Sequence, residues 1–446
     1  MPALETIRYP SGVASNVWVP ACGAAPELVF DFWTFSRHVP TNGAAAHAAS
    51  GMIERVKQIA ANRVRIFGAP PSLIADFTPM QLQSGPLLGE PIPPALVSAR
   101  PNGLYRMHRR VHRGSRTREI TFAMSIRASI GSWAYTIGPY AANPVDFDTV
   151  CEKLKALGFD GVELGAFPPH PNPGNPNGPD SEWPGAMPHR SQREELRAKM
   201  AERGLGFSGM AANLWGEKLI DTADQSKYIA EFRKNSEFAR DLGIQGIRVD
   251  CVQPPTIHRE IDYWVSLDRV VRTWKTCCDI AAANGQYVTW EVEPGFAFNK
   301  PSDARRIHDA VDRANFGIQY DTCHGQMVGV IGARQEGHKE TFPSQVEYIR
   351  FLEGRINHIH LIDSDNTCHK DAQGNDETSA HPPFGFGVLN FDEILPELLN
   401  AARLRHNWWT IDLCFWPDAW QATGQCKTYL DRLIARHGQD TAAVAS

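Results

Sequence analysis

From Met124 onward, short apolar runs alternate in strict order with stretches whose apolar residues recur at helical spacing. The strand-like runs are Ser129 to Ile137, Gly161 to Phe167, Gly206 to Ala212, Gly246 to Val252, Tyr287 to Glu293, Gly317 to Thr322, Asn357 to Ile362 and Trp408 to Leu413. Val150, Leu154 and Leu157 give the first intervening stretch a helical period and predict a helix over Phe147 to Leu157. Further helices are predicted near Gln192 to Glu202, Lys227 to Leu242, Tyr263 to Ala283 and Ala419 to Arg436, with another starting at Ser302 and Asp303 after Pro301. Eight βα units in this order predict an α/β protein, a (β/α)8 barrel, with an open doubly wound sheet as the alternative. The segment PPHPNPGNPNGPDSEWPG after strand two suits neither helix nor strand and reads as a surface loop or lid.

The first part of the chain has a different texture. Pro91, Pro93, Pro94, Pro101 and Gly103 interrupt it, Gly43 to Gly51 is rich in Ala, and Arg106 to Arg118 is basic. Only Met52 to Ile66 has a helical period. We read residues 1–123 as a poorly structured, largely disordered N-terminal extension and 124–446 as the catalytic barrel domain. Met124 is then a candidate start of translation, with a partner-binding arm as the alternative for the extension.

Composition narrows the function. With 446 residues and 42% hydrophobic content, the chain can fill one large barrel core and carry an extension. A formal net charge of −5 gives no global attraction to nucleic acid or to an anionic membrane. No apolar run approaches the roughly 20 residues of a membrane span, and the start has no signal-peptide pattern. The nine cysteines include no CxxC and read as reduced thiols of a cytoplasmic protein.

The last four strands each end in a residue able to bind metal. These are Glu291 in VTWEVEPG, Asp321 in IQYDTCH, His360 in NHIHLIDSD and Asp412 in WWTIDLCF. In a barrel, chemistry sits at the C-terminal strand ends, and alternate strand residues share a face. Thr289, Glu291 and Glu293 therefore lie on one side, as do Gln319 and Asp321, His358 and His360, and Thr410 and Asp412. Three carboxylates and one imidazole at one height suit one divalent ion, with Mn²⁺ or Mg²⁺ favoured and Co²⁺ or Zn²⁺ also accommodated. Taken singly, each residue is equally a hydrogen-bonded wall residue. Glu291 and Glu293 are alternative ligands at this point.

These residues resemble the xylose-isomerase-like TIM barrel superfamily, the sugar phosphate isomerase/epimerase group that also includes endonuclease IV. The likeness runs from about Ser129 to the last helix. It is carried by GFDGVEL around Glu163, the Glu of WEVEPG, the DxxH of Asp321 and His324, the HxH of His358 and His360, and GFG at Gly385 to Gly387 before LNFDEIL. The resemblance implies Glu291, Asp321, His360 and Asp412 as metal ligands, Glu291 and Asp412 as acid/base groups, and His324 in contact with substrate and sharing in catalysis. It implies a small carbohydrate substrate and a homo-oligomer, a dimer or tetramer packed through the barrel helices. Strand eight departs from the family by offering Asp412 where Glu is usual, which withdraws a base by about 1.5 Å. Two-base epimerisation is thereby less secure than aldose–ketose isomerisation or β-elimination.

Candidate substrate contacts are Trp133, Glu163, Glu293, His324 and Asp363. For Trp133 core packing competes, for Glu163 a structural ion pair, and for Asp363 a turn role. Arg248 and Asp250 read as a pair, and Trp215, Phe415 and Trp416 as packing or as a platform for an aglycone. The expected activity is a metal-dependent isomerase or epimerase of a small sugar, keto-sugar or polyol. The alternative is a lyase or dehydratase of keto-sugars, keto-inositols or 3-keto-glycosides. DNA repair of the endonuclease IV kind is disfavoured, because ELGAF and GMAAN lack the histidines of a trinuclear site. No GxGxxG follows a strand and no GxSxG occurs. A non-catalytic subunit role would leave the protein insensitive to chelators. If Met124 is the start, protein from the native host has an intact mass lacking residues 1–123; a mass that includes Met1 rules this out.

Overall fold

The computed structural model describes residues 5–8, 14–17, 125–371 and 373–438. The chain divides into two compact units, Met1–Pro93 and Pro94–Ser446. In the first, Glu5–Arg8 and Ala14–Val17 pair as an antiparallel hairpin, with Glu5 opposite Val17. The expected disorder of the extension, the helix from Met52, the basic cluster and the Met124 start lie outside the described residues.

The second unit holds eight parallel strands. They are β1 (Arg127–Ile130), β2 (Gly161–Gly165), β3 (Gly206–Ala211), β4 (Gly246–Val249), β5 (Tyr287–Glu291), β6 (Phe316–Asp321), β7 (Ile356–Leu361) and β8 (Trp408–Ile411). Each strand pairs with its neighbour in sequence, and β8 returns to β1, with Thr410 opposite Ser129. A parallel bridge between Gly131 and Glu163 closes the ring between β1 and β2. The helices alternate with the strands: α1 (Phe147–Ala156), α2 (Arg190–Glu202), α3 (Ser226–Leu242), α4 (Tyr263–Ala283), α5 (Pro301–Val311), α6 (Gln345–Phe351), α7 (Phe391–Ala401) and α8 (Ala419–His437). The expected (β/α)8 architecture is therefore the fold.

Local chemistry sets the helix ends. Asp146 caps α1 by accepting from the Thr149 N–H at 3.0 Å, and Asp262 caps α4 by accepting from the Trp264 N–H at 2.9 Å. Gly243 ends α3 at φ +77°, a conformation that favours glycine. Outward strand residues such as Ile247, Val288, Ile318, Ile359 and Ile411 are buried in the apolar layer between strands and helices. Inward residues are polar. Ser129, Glu163, Arg248, Thr289, Gln319, His358 and Thr410 are all buried within the ring. A barrel interior is ordinarily filled by branched apolar side chains, so this one is built as a polar network.

Three features differ from the sequence expectation. Strand one is extended only to Ile130; Ser132–Tyr135 is a turn of 3-10 helix. The bend brings Trp133 back over Gly131, where any Cβ would strike the indole, and Ser132 Oγ accepts from the Gly165 N–H at 2.8 Å. After β6 the chain forms a short helix, Thr322–Gln326, capped by Asp321 itself. Between β7 and α7 lies a hairpin of Cys368–Lys370 with Asp376–Ser379. Among the described residues, no helix is long and apolar enough to cross a membrane.

At the base of the barrel, Gly161 lies so close to the Gly206 carbonyl and the Trp408 ring that a Cβ would collide with both. Gly161→Ala is expected to lower stability by about 1–3 kcal/mol, as overpacking does. Urea unfolding checks this, and an unchanged midpoint would show that the base can relax.

Candidate metal centre

Strand register assembles the centre. Glu291 ends β5 opposite Gln319 of β6, Asp321 lies opposite His360 of β7, and His360 lies opposite Thr410 of β8. Asp412 follows Thr410 by two residues and shares its face. Glu291, Asp321, His360 and Asp412 each offer a ligand atom, and these atoms all lie within 4.8 Å of one another. His360 Nδ1 is 3.2 Å from Glu291 Oε1 and 3.5 Å from Asp412 Oδ2. All four residues are buried.

The donor set fits one divalent cation. Asp321 Oδ2 is buried and has no hydrogen-bond partner. A buried carboxylate oxygen left so is costly unless a cation meets it. The second oxygen, Oδ1, accepts from the His324 N–H at 2.8 Å, which aims the carboxylate. Asp412 Oδ1 accepts from Trp133 Nε1 and from the Cys414 N–H, each at 2.9 Å, and so is similarly held.

Electrostatics agree. Burial, then the neighbouring Glu291 and Asp412 charges, raise the Asp321 carboxyl well above the usual Asp range. Burial also opposes ionisation of Glu291, but Arg248 and His360 outweigh it and hold that carboxyl low. For His360, burial disfavours the imidazolium, yet Glu163 and Glu291 raise its pKa well above the ordinary value. Without a cation, the cluster thus compensates by keeping protons on Asp321 and His360. A metal bound here would take over that role.

Arg248 organises the wall beside the metal cluster. Its guanidinium pairs with Asp250 at 3.0 Å and with Glu293 at 2.5 Å, and it forms a close ion pair with Glu291. The expected Arg248–Asp250 pair is present, and sequence reasoning missed the two further carboxylates. Glu293 Oε2 accepts from Thr378 Oγ1 at 2.7 Å and lies 3.8 Å from His324 Nε2. Burial pushes the Glu293 carboxyl up to about 8; Arg248 opposes this, and Glu291 and Asp250 add to it. Burial and the neighbouring His381 bring His324 down to about 3, so its ring is neutral.

A pocket opens beside these groups. Trp133, Ile137, Phe167, Trp215 and Phe415 give it an apolar side, and Arg248, Glu293, His324, His381 and Asp412 a polar one. Trp133, Glu293 and His324, three of the candidate substrate contacts, line this pocket. Two other candidates do not. Glu163 is 1% exposed and turns into the barrel, where its oxygens meet His358 Nε2 at 2.8 Å and His360 Nε2 at 3.1 Å, away from the pocket lining. Asp363 accepts from the backbone N–H groups of Gly385, Gly387 and Leu389 at 2.9, 3.1 and 3.0 Å. It ties down the GFG turn, which is the turn role rather than a substrate contact.

His381 went unnoticed in the sequence. It is buried, both ring nitrogens lack hydrogen-bond partners, and Nε2 is 3.8 Å from Asp321 Oδ1. It stacks edge-on against His324 with centroids 4.7 Å apart. The hairpin between β7 and α7 delivers it, together with Thr378 and Ser379, and a lone His after a polar loop carries no periodic signal of that placement.

Comparison with known proteins agrees with this architecture. The family described as Xylose isomerase-like TIM barrel matches residues 151–422, and the chain belongs to it. Among solved structures, the IolI protein with a binding zinc atom superposes with a TM-score of 0.51 at 15% identity, covering 70% of this chain and 99% of that one. L-ribulose 3-epimerase superposes with a TM-score of 0.50 at 14% identity, covering 72% and 99%. No curated relative matches the sequence.

Asp321→Asn tests the charge argument. In the metal-free protein the raised Asp321 carboxyl binds its proton more tightly folded than unfolded. Above the ordinary Asp value the folded state therefore holds the extra proton, and stability falls as pH rises towards the raised value. Asn removes that penalty. The metal-free variant should melt at a higher temperature than metal-free wild type at neutral pH, and its affinity for Mn²⁺ should fall by more than about 100-fold, beyond the loss typical of outer-shell changes. Calorimetry reads both; wild-type affinity in the variant would refute the ligand role.

Proposed function

We propose that this protein is a divalent-metal-dependent isomerase acting next to the carbonyl of a small, unphosphorylated keto-sugar or keto-polyol. The observation that carries this reading is the convergence of Glu291, Asp321, His360 and Asp412 within 4.8 Å, beside a pocket with both apolar and polar walls. Mn²⁺ and Mg²⁺ suit its oxygen-rich donor set best. A cation held there would act as a Lewis acid on a substrate carbonyl and make the adjacent C–H acidic.

The chain's own residues supply the proton transfers. Glu293 faces the pocket with a carboxyl near neutrality, about 8, which matches the requirement for a base that must also give the proton back. Glu291 is held low by Arg248 and His360, and its role is charge and metal binding more than proton abstraction. Neutral His324, 3.8 Å from Glu293, is placed to orient a hydroxyl and pass its proton. Trp133 and Phe415 offer flat faces for the C–H side of a sugar ring.

Unphosphorylated substrate follows from the wall chemistry. A phosphate calls for an uncommitted cation or a bidentate Arg. Among the residues lining the pocket, Arg248 is the fixed cation, and three carboxylates occupy it.

The position of Asp412 favours one-base chemistry. One of its oxygens holds Trp133 and the Cys414 N–H, and the other belongs to the metal cluster. Neither is free to act from the opposite face of the substrate. The second reading, β-elimination from a keto-sugar, uses the same single base and is favoured by the same observation. The family's epimerase relative is consistent with proton transfer of this kind but differs too much in sequence to choose between the two.

Incubation of the Mn²⁺-loaded protein in D₂O with ketoses, inosose and 3-keto-glucosides separates them, with products read by NMR after removal of the metal. Deuterium entering a carbon beside the carbonyl, with two isomers interconverting, is expected. Loss of substrate to an unsaturated product or a free aglycone would assign the lyase instead. Glu293→Gln should lower the exchange rate by about 10²–10⁴-fold, the usual contribution of a positioned acid/base group, while metal affinity stays within a few-fold. Undiminished exchange would remove Glu293 from the mechanism.

A further inference from the structure

A chain of hydrogen bonds runs up the inside of the barrel from a backbone amide near its base to the metal cluster. The Trp408 N–H donates to His406 Nδ1 at 3.1 Å. That nitrogen must therefore carry a lone pair, and the His406 proton sits on Nε2. His406 Nε2 is 2.8 Å from His358 Nδ1 and donates to it. The Tyr287 hydroxyl is 3.0 Å from the same nitrogen. Because His406 cannot accept there, the His358 proton is forced onto Nε2, which is 2.8 Å from Glu163 Oε2. Thr410 Oγ1 donates to that oxygen as well, at 3.1 Å. The other oxygen, Oε1, is 3.1 Å from His360 Nε2. An ionised carboxylate is acceptor only, so His360 must offer Nε2–H. Its Nδ1 is then free of a proton in the metal-bound protein, and that is the nitrogen facing Glu291, Asp412 and, at 3.3 Å, the Gln319 amide.

We propose that Glu163, His358 and His406 form a relay, buried at Glu163 and His358 and half-buried at His406, that fixes the tautomer and ring orientation of His360, so that its Nδ1 lone pair points at the cation. The proposal rests on the reading of Glu291, Asp321, His360 and Asp412 as ligands of one metal. Glu163 is a positioning residue: it acts through His360 and does not face the pocket. Burial makes the relay stringent. Glu163, His358 and His360 are each 1% exposed or less, so no water substitutes freely for a missing partner. The Trp408 amide, which can only donate, sets the direction of the links as far as Glu163, and the Glu163 carboxylate, which can only accept, sets the last one to His360. The Glu of GFDGVEL, read from the sequence either as a sugar contact or as a structural ion pair, thereby gains a specific task in the proposed metal site.

Glu163→Gln is the informative change, since it keeps the shape and replaces one acceptor oxygen by an N–H donor. Facing His360, that donor would compel the opposite tautomer and place a proton on Nδ1; facing His358, it would clash with a ring whose proton is already committed. The full chain, labelled with [15N]histidine, is titrated with Mg²⁺ by calorimetry and followed in long-range 1H–15N spectra. The His360 signals are assigned by their loss in the spectrum of His360→Asn. Wild type should bind Mg²⁺ with His360 protonated on Nε2 and its Nδ1 shifted by the metal. Glu163→Gln should bind Mg²⁺ about 10–100-fold more weakly, the loss expected when an outer-shell partner of a ligating His is removed. A variant with wild-type affinity, or a Mg²⁺-loaded wild type with His360 protonated on Nδ1, would overturn the relay while leaving the metal site standing. Wild type that binds no Mg²⁺, Mn²⁺ or Zn²⁺ would overturn the metal reading and the relay with it. The wild-type spectrum decides the tautomer even if the variant does not fold.

Discussion

Three carboxylates, Glu291, Asp321 and Asp412, are buried around a single imidazole at the mouth of the barrel. Like charges packed this way repel strongly in a low-dielectric interior, and the arrangement persists only if positive charge is supplied. His360 supplies part of it and Arg248 another part, from the side of Glu291. The rest is met by a proton on Asp321 in the metal-free protein, or by the divalent ion proposed for this site. Much of the surrounding structure can be read as support for this concentration of charge. The cap on the following helix holds Asp321, and the Trp133 indole, placed by the bend of the chain after β1, holds Asp412.

Separation of roles follows from small differences in surroundings. Glu291 and Glu293 lie two residues apart and share Arg248, yet one carboxyl is held low and the other pushed up to about 8. Glu291 points into the cluster, with His360 and Arg248 against it. Glu293 points toward the pocket, where its neighbours are neutral His324 and the Thr378 hydroxyl. A strand that places two carboxylates on one face can thus furnish a metal ligand and a proton acceptor side by side. The hairpin between β7 and α7 completes the wall by bringing Thr378, Ser379 and His381 over the site.

The barrel was legible in the sequence because its strands and helices keep their own periods without interruption. The helix from Tyr263 to Ala283 agrees at both ends, since Asp262 is a strong cap and Asn284 with Gly285 a strong stop. Strand one was read too long, because Trp133 and Tyr135 look like strand residues while Gly131 and Ser132 turn the chain there. The hairpin over the site was not legible: TCHKDAQGNDETS is polar throughout and has neither period. His381 was missed for the same reason, as its position depends on that hairpin. Glu163 was visible as an inward strand residue, but its partners lie across the barrel on β7 and beyond it, a relation that local pattern does not encode. Asp363 was misleading because a carboxylate that binds three backbone amides looks, in sequence, the same as one that binds a hydroxyl.

The account turns on one claim, that a single divalent cation sits among Glu291, Asp321, His360 and Asp412. Anomalous X-ray diffraction at the manganese edge from crystals grown with Mn²⁺ tests it most directly. The expected result is one strong peak per chain, about 2 Å from oxygens of the three carboxylates and from His360 Nδ1. A peak held instead by Glu163 and His358, or no peak at the strand ends, would contradict it.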